Sequence, residues 1–168
     1  DLTRADLSSA HLYGANMEGA NLFKANLSNA NLRSARLRDC NLVGANFEGA
    51  KLENIEWDDD HKVKNERDAE AALRAGDETE ARLRFREAEE VYRSIKLAYR
   101  LQGEMRGEAR FFYREMVAHR KQLPGLSAAR LLSKLMDLVT GYGEKPVNVF
   151  LTMLMTILAS AIGYGLFG

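Results

Sequence analysis

Hydrophobic positions along this chain fall into three regimes, and each predicts a different kind of element. From Ala5 a small residue is followed two places later by a large apolar one, and the pair recurs every five residues until Ile55 and Trp57. Five matches neither the 3.6 residues of a helical turn nor the two of a strand, so the backbone must turn after each unit. One unit cannot bury its apolar pair alone, and stacking of successive units supplies the core. The expected inward residues are Leu7, Leu12, Met17, Leu22, Leu27, Leu32, Leu37, Leu42, Phe47, Leu52 and Trp57. The larger Ile55 and Trp57 are predicted to cap the series. Cys40 stands in an alanine position and reads as a buried substitute rather than a reactive thiol.

The second regime is helical. Asn65 with Asp68, and Asp77 with Glu80, stand at the spacing of helix caps. From Ala81, the residues Phe85, Ala88, Tyr92, Ile95 and Tyr99 follow in alternating steps of four and three, one stripe of an amphipathic helix. Gly103 ends it, and a second helix from about Glu104 carries Ala109, Phe112, Tyr113 and Met116 on one face. Two helices joined by so short a turn predict an antiparallel hairpin.

Beyond Pro124 and Gly125, Ser127 is placed to cap a third helix. There Arg130, Ser133, Lys134 and Asp137 share one side, while Leu131, Leu132, Leu135, Met136, Leu138 and Val139 cover the rest. That pattern predicts a helix lying in a membrane interface, with basic residues near the headgroups. In the third regime, Val147 to Phe167 holds no charge, and at ~1.5 Å per residue it predicts a span of the hydrocarbon core. Arg130, Lys134 and Lys145 precede it, which places the N-terminal domains in the cytoplasm and the chain in the cell membrane. Thr152, Thr156 and Ser160 recur every four residues, a stripe suited to packing against another span. The predicted organisation is repeats over 1–59, a linker with a short helix over 60–76, the charged hairpin over 77–123, the interfacial helix over 127–140 and the span over 147–168.

Composition narrows the function. The chain of 168 residues carries 24 basic and 24 acidic side chains, which gives no general pull toward nucleic acid. One cysteine permits no internal disulfide. The run Asp58-Asp59-Asp60-His61 lacks further ligand spacing and reads as a linker, so no metal is expected. With no nucleophile motif and no phosphate loop, neither a cofactor nor catalysis is expected.

Units such as AHLYG, ANMEG, ANLFK and ANLSN resemble the pentapeptide-repeat family, whose motif is A(D/N)LXX. The resemblance implies a right-handed quadrilateral β-helix, a solenoid in which four repeats make one coil and residues twenty apart stack. The expected fold is that solenoid followed by an α-helical hairpin and a transmembrane helix. Residues 88–116 resemble one tetratricopeptide-type unit, with Lys96 where a small residue is usual. Phe112-Tyr113-Arg114-Glu115-Met116 and the link Gly141 to Pro146 resemble membrane-anchored pentapeptide-repeat proteins with a two-transmembrane, potassium-channel-like pore.

That likeness implies a non-catalytic cytoplasmic module and first span of an ion-channel-type protein. Its partners would be the lipid bilayer and copies of itself, assembled through span and hairpin. The chain starts inside a repeat and stops at Gly168, so it is expected to be a fragment. The alternative is a membrane-anchored scaffold whose solenoid receives a protein partner. A duplex-DNA mimic of the kind known in the family is disfavoured. From Asp1 to Asp59 six basic residues offset nine acidic ones, and Arg33, Arg36 and Arg38 cluster.

Overall fold

The structure is a computed structural model that describes residues 1–143 and 146–167, with the side chains at 146, 158, 159 and 161–167 outside the description. Two compact units form, Asp1–Gln122 and Leu123–Gly168.

In the first unit the five-residue period becomes a stack of turns. From Ala5 to Ala50, except at Cys40, the N–H of the small residue donates to the carbonyl of the preceding large one, as Ala10 does to Leu7 at 3.1 Å. The second of the two residues between them is left-handed in every repeat from Arg4 to Asn54, with φ of 58° at Arg4 and 65° at Gly14. This explains why Gly, Asn and Asp dominate that place, since they adopt positive φ at least cost. The Asp or Asn after each alanine also has a local duty. Its side-chain oxygen accepts the N–H two residues on, as Asn16 does from Glu18 at 3.1 Å.

Successive coils join at single residues. Asp6 bridges Asn26, His11 bridges Asn31, and the series continues in parallel at twenty-residue intervals to Arg36 and Glu56. Around each bridge Leu7 N–H donates to Asn26 O at 2.8 Å and Asn26 N–H donates to Ala5 O at 2.9 Å. The inward side chains from Leu22 to Leu52 are at most 2% exposed, whereas Leu7 and Leu12 are half-buried and Met17 and Trp57 are each 8% exposed. Each full burial of such a side chain contributes roughly 1.5–3 kcal/mol.

The helices are α1 (Lys64–Arg74), α2 (Glu78–Leu101), α3 (Met105–Gln122), α4 (Ala128–Thr140) and α5 (Pro146–Phe167). The expectation of a β-helix solenoid followed by a transmembrane helix is corrected on both counts. Among the described residues the regular elements are five α-helices and two short 3-10 turns, with no strand and no sheet. A turn every five residues leaves each straight piece one bridging residue long, too short to build a ladder. No helix among the described residues is long and apolar enough to cross a membrane. The expected span, 147–168, lies in part outside the description, and its side chains at 158, 159 and 161–168 are not described.

α2 carries the stack's lid. Its stripe Ala81, Phe85, Ala88, Tyr92, Ile95 and Tyr99 is buried. The side chains at its C-terminal end replace the backbone partners that a further coil would supply. Ser94 Oγ donates to Ala45 O at 3.1 Å, Gln102 Nε2 donates to Ala50 O at 2.6 Å, and Leu52 N–H donates to Gln102 Oε1 at 3.1 Å. Tyr99 donates its hydroxyl to Leu52 O at 3.0 Å and accepts the Trp57 indole N–H at 3.3 Å. Phe111 of α3 completes the joint, edge-on to Trp57 at 5.2 Å and stacked on Tyr99 at 5.6 Å between centroids.

The buried face of α3 differs from the expected one. Gly107, Phe111, Glu115, Val117 and Ala118 are buried, while Ala109, Phe112, Tyr113 and Met116 are only half-buried. A charged residue hides this face in the sequence. Glu115 lies inside because Lys96 and Arg93 of α2 bond its two oxygens at 2.5 and 3.0 Å. Lys96, out of place in the tetratricopeptide pattern, therefore has its partner across the hairpin.

Candidate interaction surface

Two clefts open where the repeats meet the helices of the first unit. The larger, about 410 Å³, is walled by charge from Arg38, Asp58, Lys62, Arg67, Glu70 and neighbours. Much of that charge is already spent internally. Arg67 pairs with Asp39 at 2.6 Å and Asp58 at 3.3 Å, Lys64 with Asp39 at 3.0 Å, and Lys62 with Glu70 at 3.0 Å. Such a wall positions α1 on the coils more than it invites a ligand.

The smaller cleft, about 210 Å³, has a different character. Its floor is apolar, made by Phe23 and Val43, which stand twenty apart and so belong to one column of the stack. α1 contributes Lys64, Asn65 and Asp68, and α2 contributes Arg84 and Glu87. Arg84 is held by Glu80 at 2.7 Å and Glu87 at 3.0 Å, and Lys64 is held by Asp39. Two acceptors remain. Among the described residues the Asp68 carboxylate has no ion-pair or hydrogen-bond partner, and the buried Asn65, whose Nδ2 donates to Glu87 at 2.9 Å, has its Oδ1 without one. An apolar floor beside unpaired acceptors suits a side chain with an aliphatic stem and a cationic end.

Three other titratable groups of the first unit are shifted by their surroundings. Burial pushes the Cys40 thiol up to about 11, and its Sγ lies 3.0 Å from the carbonyl of Met17, so the thiol is inert. Burial, then the neighbouring Glu66 carboxylate, holds the Tyr92 phenol well above its ordinary value. Burial, followed by Arg110 and Arg114, lowers His61, whose Nε2 faces Arg110 at 2.7 Å. Among the described residues no group of three or more His, Cys, Asp and Glu is placed to hold a metal ion.

The other residues singled out in the sequence have these surroundings. Arg33 pairs with Glu53 at 2.6 Å and Arg36 with Glu56 at 3.1 Å, one coil apart. In the second unit Arg130 donates to the Leu123 carbonyl at 2.9 Å and Lys134 is exposed, while Lys145 lies outside the described residues. Thr152, Thr156 and Ser160 each donate to the carbonyl four residues back, at 2.6, 2.8 and 2.9 Å. Neither Arg33 nor Arg36 lines the Phe23 cleft. The signal missed in the sequence is the pair ANLFK and CNLVG, which put large apolar residues in an outward place twenty apart.

The model of the family described as pentapeptide repeats matches residues 1–39 in eight copies. Among solved structures the chain is similar to the crystal structure of a pentapeptide repeat protein, Rfr23, from the cyanobacterium Cyanothece 51142. Identity is 51% over 34% of this chain and 39% of that one, with a TM-score of 0.34. The match therefore spans well under half of either chain. No curated protein matches. The family match rests on the repeats and does not support the membrane-anchored, channel-like kind.

Proposed function

We propose that the pentapeptide repeats and their helical lid form a non-catalytic scaffold for protein–protein interaction, with the Phe23 cleft as its docking point. The observation that carries this is the unpaired Asp68 carboxylate beside the apolar column of Phe23 and Val43. A partner segment lays an apolar or long aliphatic side chain on the column and points a Lys or Arg toward Asp68. Pairing there adds a charge-assisted hydrogen bond in a partly desolvated place, which favours specificity.

Selection of random peptides on the immobilised chain tests this. Peptides enriched in Lys or Arg flanked by apolar residues are expected, with Val43→Glu abolishing capture and Asp68→Lys shifting the selection to acidic sequences. Peptides without charge bias, or capture unchanged by Val43→Glu, would sink the reading.

A further inference from the structure

Among the described side chains of the second unit, Leu123–Gly168, large apolar residues make up much of the exposed surface, the reverse of what water favours. On α4, Leu131, Leu132, Leu135 and Leu138 are 71, 61, 53 and 73% exposed. On α5, Phe150 and Ile157 are 78 and 62% exposed.

Polar groups that water would ordinarily satisfy are instead satisfied within the unit. Three carbonyls near the end of α4 have partners inside the unit: Met136 O accepts from the Thr140 hydroxyl at 2.9 Å, Asp137 O from the Gly141 N–H, and Leu138 O from Asn148 Nδ2 at 3.0 Å. The Tyr142 hydroxyl donates to Ser133 O at 2.9 Å and also contacts the Ser133 hydroxyl. The α5 hydroxyls at Thr152, Thr156 and Ser160 fold back onto their own helix. Internal partners of this kind are what polar groups need beside a surface from which water is excluded.

We propose that α4, with the adjoining first turns of α5, rests on a lipid surface bearing anionic headgroups. At 100° per residue the apolar face of α4 covers roughly 160°, far wider than the seam that meets a single partner helix. Lys134 stands at the edge of that face, exposed and without a partner among the described residues, and Arg130 lies on the polar side one turn earlier. Apolar residues sink between the acyl chains while these two cations meet the headgroups.

Flotation of the full chain tests it, in vesicles of phosphatidylcholine alone and of equal parts phosphatidylcholine and phosphatidylglycerol. The chain is expected to float with the mixed vesicles and to bind the neutral ones roughly tenfold more weakly. Lys134→Gln should lower binding to the mixed vesicles about fivefold. Leu131→Glu with Leu135→Glu should abolish it, and because both leucines are exposed the helix content should not change. Absence of flotation, or flotation indifferent to the double substitution, would overturn the proposal. So would a lipid-free dimer that Leu135→Glu dissociates, which assigns the face to a second copy of the chain.

Discussion

Gly49 shows how narrowly a single place in the repeat is set. Its φ is +68°, and a Cβ added there would stand 2.4 Å from Asn29 Oδ1 in the coil beneath. Gly49→Ala therefore meets both a left-handed backbone and a clash, and should lower stability by about 1–2 kcal/mol in urea unfolding. Gly14→Ala has the same backbone cost with nothing within 4 Å, so it should cost less.

Cys40 has a pH signature of known sign. Its thiol titrates higher in the folded chain, about 11 against an ordinary 9.0, because burial disfavours the thiolate. The stability this neutral thiol contributes is intact below pH 9 and is lost as pH rises toward 11. Unfolding of the parent and Cys40→Ala, compared across that window, should show the parent losing stability that the variant keeps. At neutral pH the folded thiol should resist alkylation.

Among elements, the hairpin of α2 and α3 depends on a charge it has buried. Glu115→Ala would strand Lys96, whose side chain is 15% exposed, and should cost about 3 kcal/mol. Joining Glu115→Leu to Lys96→Met should recover most of it, as measured by thermal unfolding. The lid on the coils depends on one hydroxyl. Tyr99→Phe leaves Leu52 O and the Trp57 indole N–H without their partner and should cost about 1–3 kcal/mol, with a change in Trp57 fluorescence.

The five-residue period of Ala and Leu was enough to place the inward side chains, and the alternating steps from Ala81 marked the buried stripe of α2. The left-handed place holds Gly, Asn or Asp in seven of the eleven repeats from Arg4 to Asn54, a pattern that only the turn geometry gives meaning. The inner face of α3 was hidden because Glu115 occupies it, a residue that hydropathy assigns to solvent unless its cationic partner is known. Ser94 and Gln102 were equally silent. Their role depends on backbone atoms some fifty residues away.

At the scale of the first unit, coils and lid share one core through Trp57, Tyr99 and Phe111. Loss of the helices should thus uncover the coils. Trp57 fluorescence and helical circular dichroism should report the same unfolding midpoint, and separated midpoints would show that the two parts melt independently.

The lid also makes the unit extensible. Ser94, Gln102 and Tyr99 grip backbone atoms of the final coil alone, and every earlier coil meets its neighbour through the same bridges. An insertion of twenty residues after Ala20 would lengthen the stack by ~4.8 Å and leave both the lid and the Phe23 column undisturbed. An insertion of five would move each upstream residue to a different side and mismatch every column it crosses. The capped end serves as a fixed origin, and the chain behaves as a ruler whose only permitted increment is a whole coil.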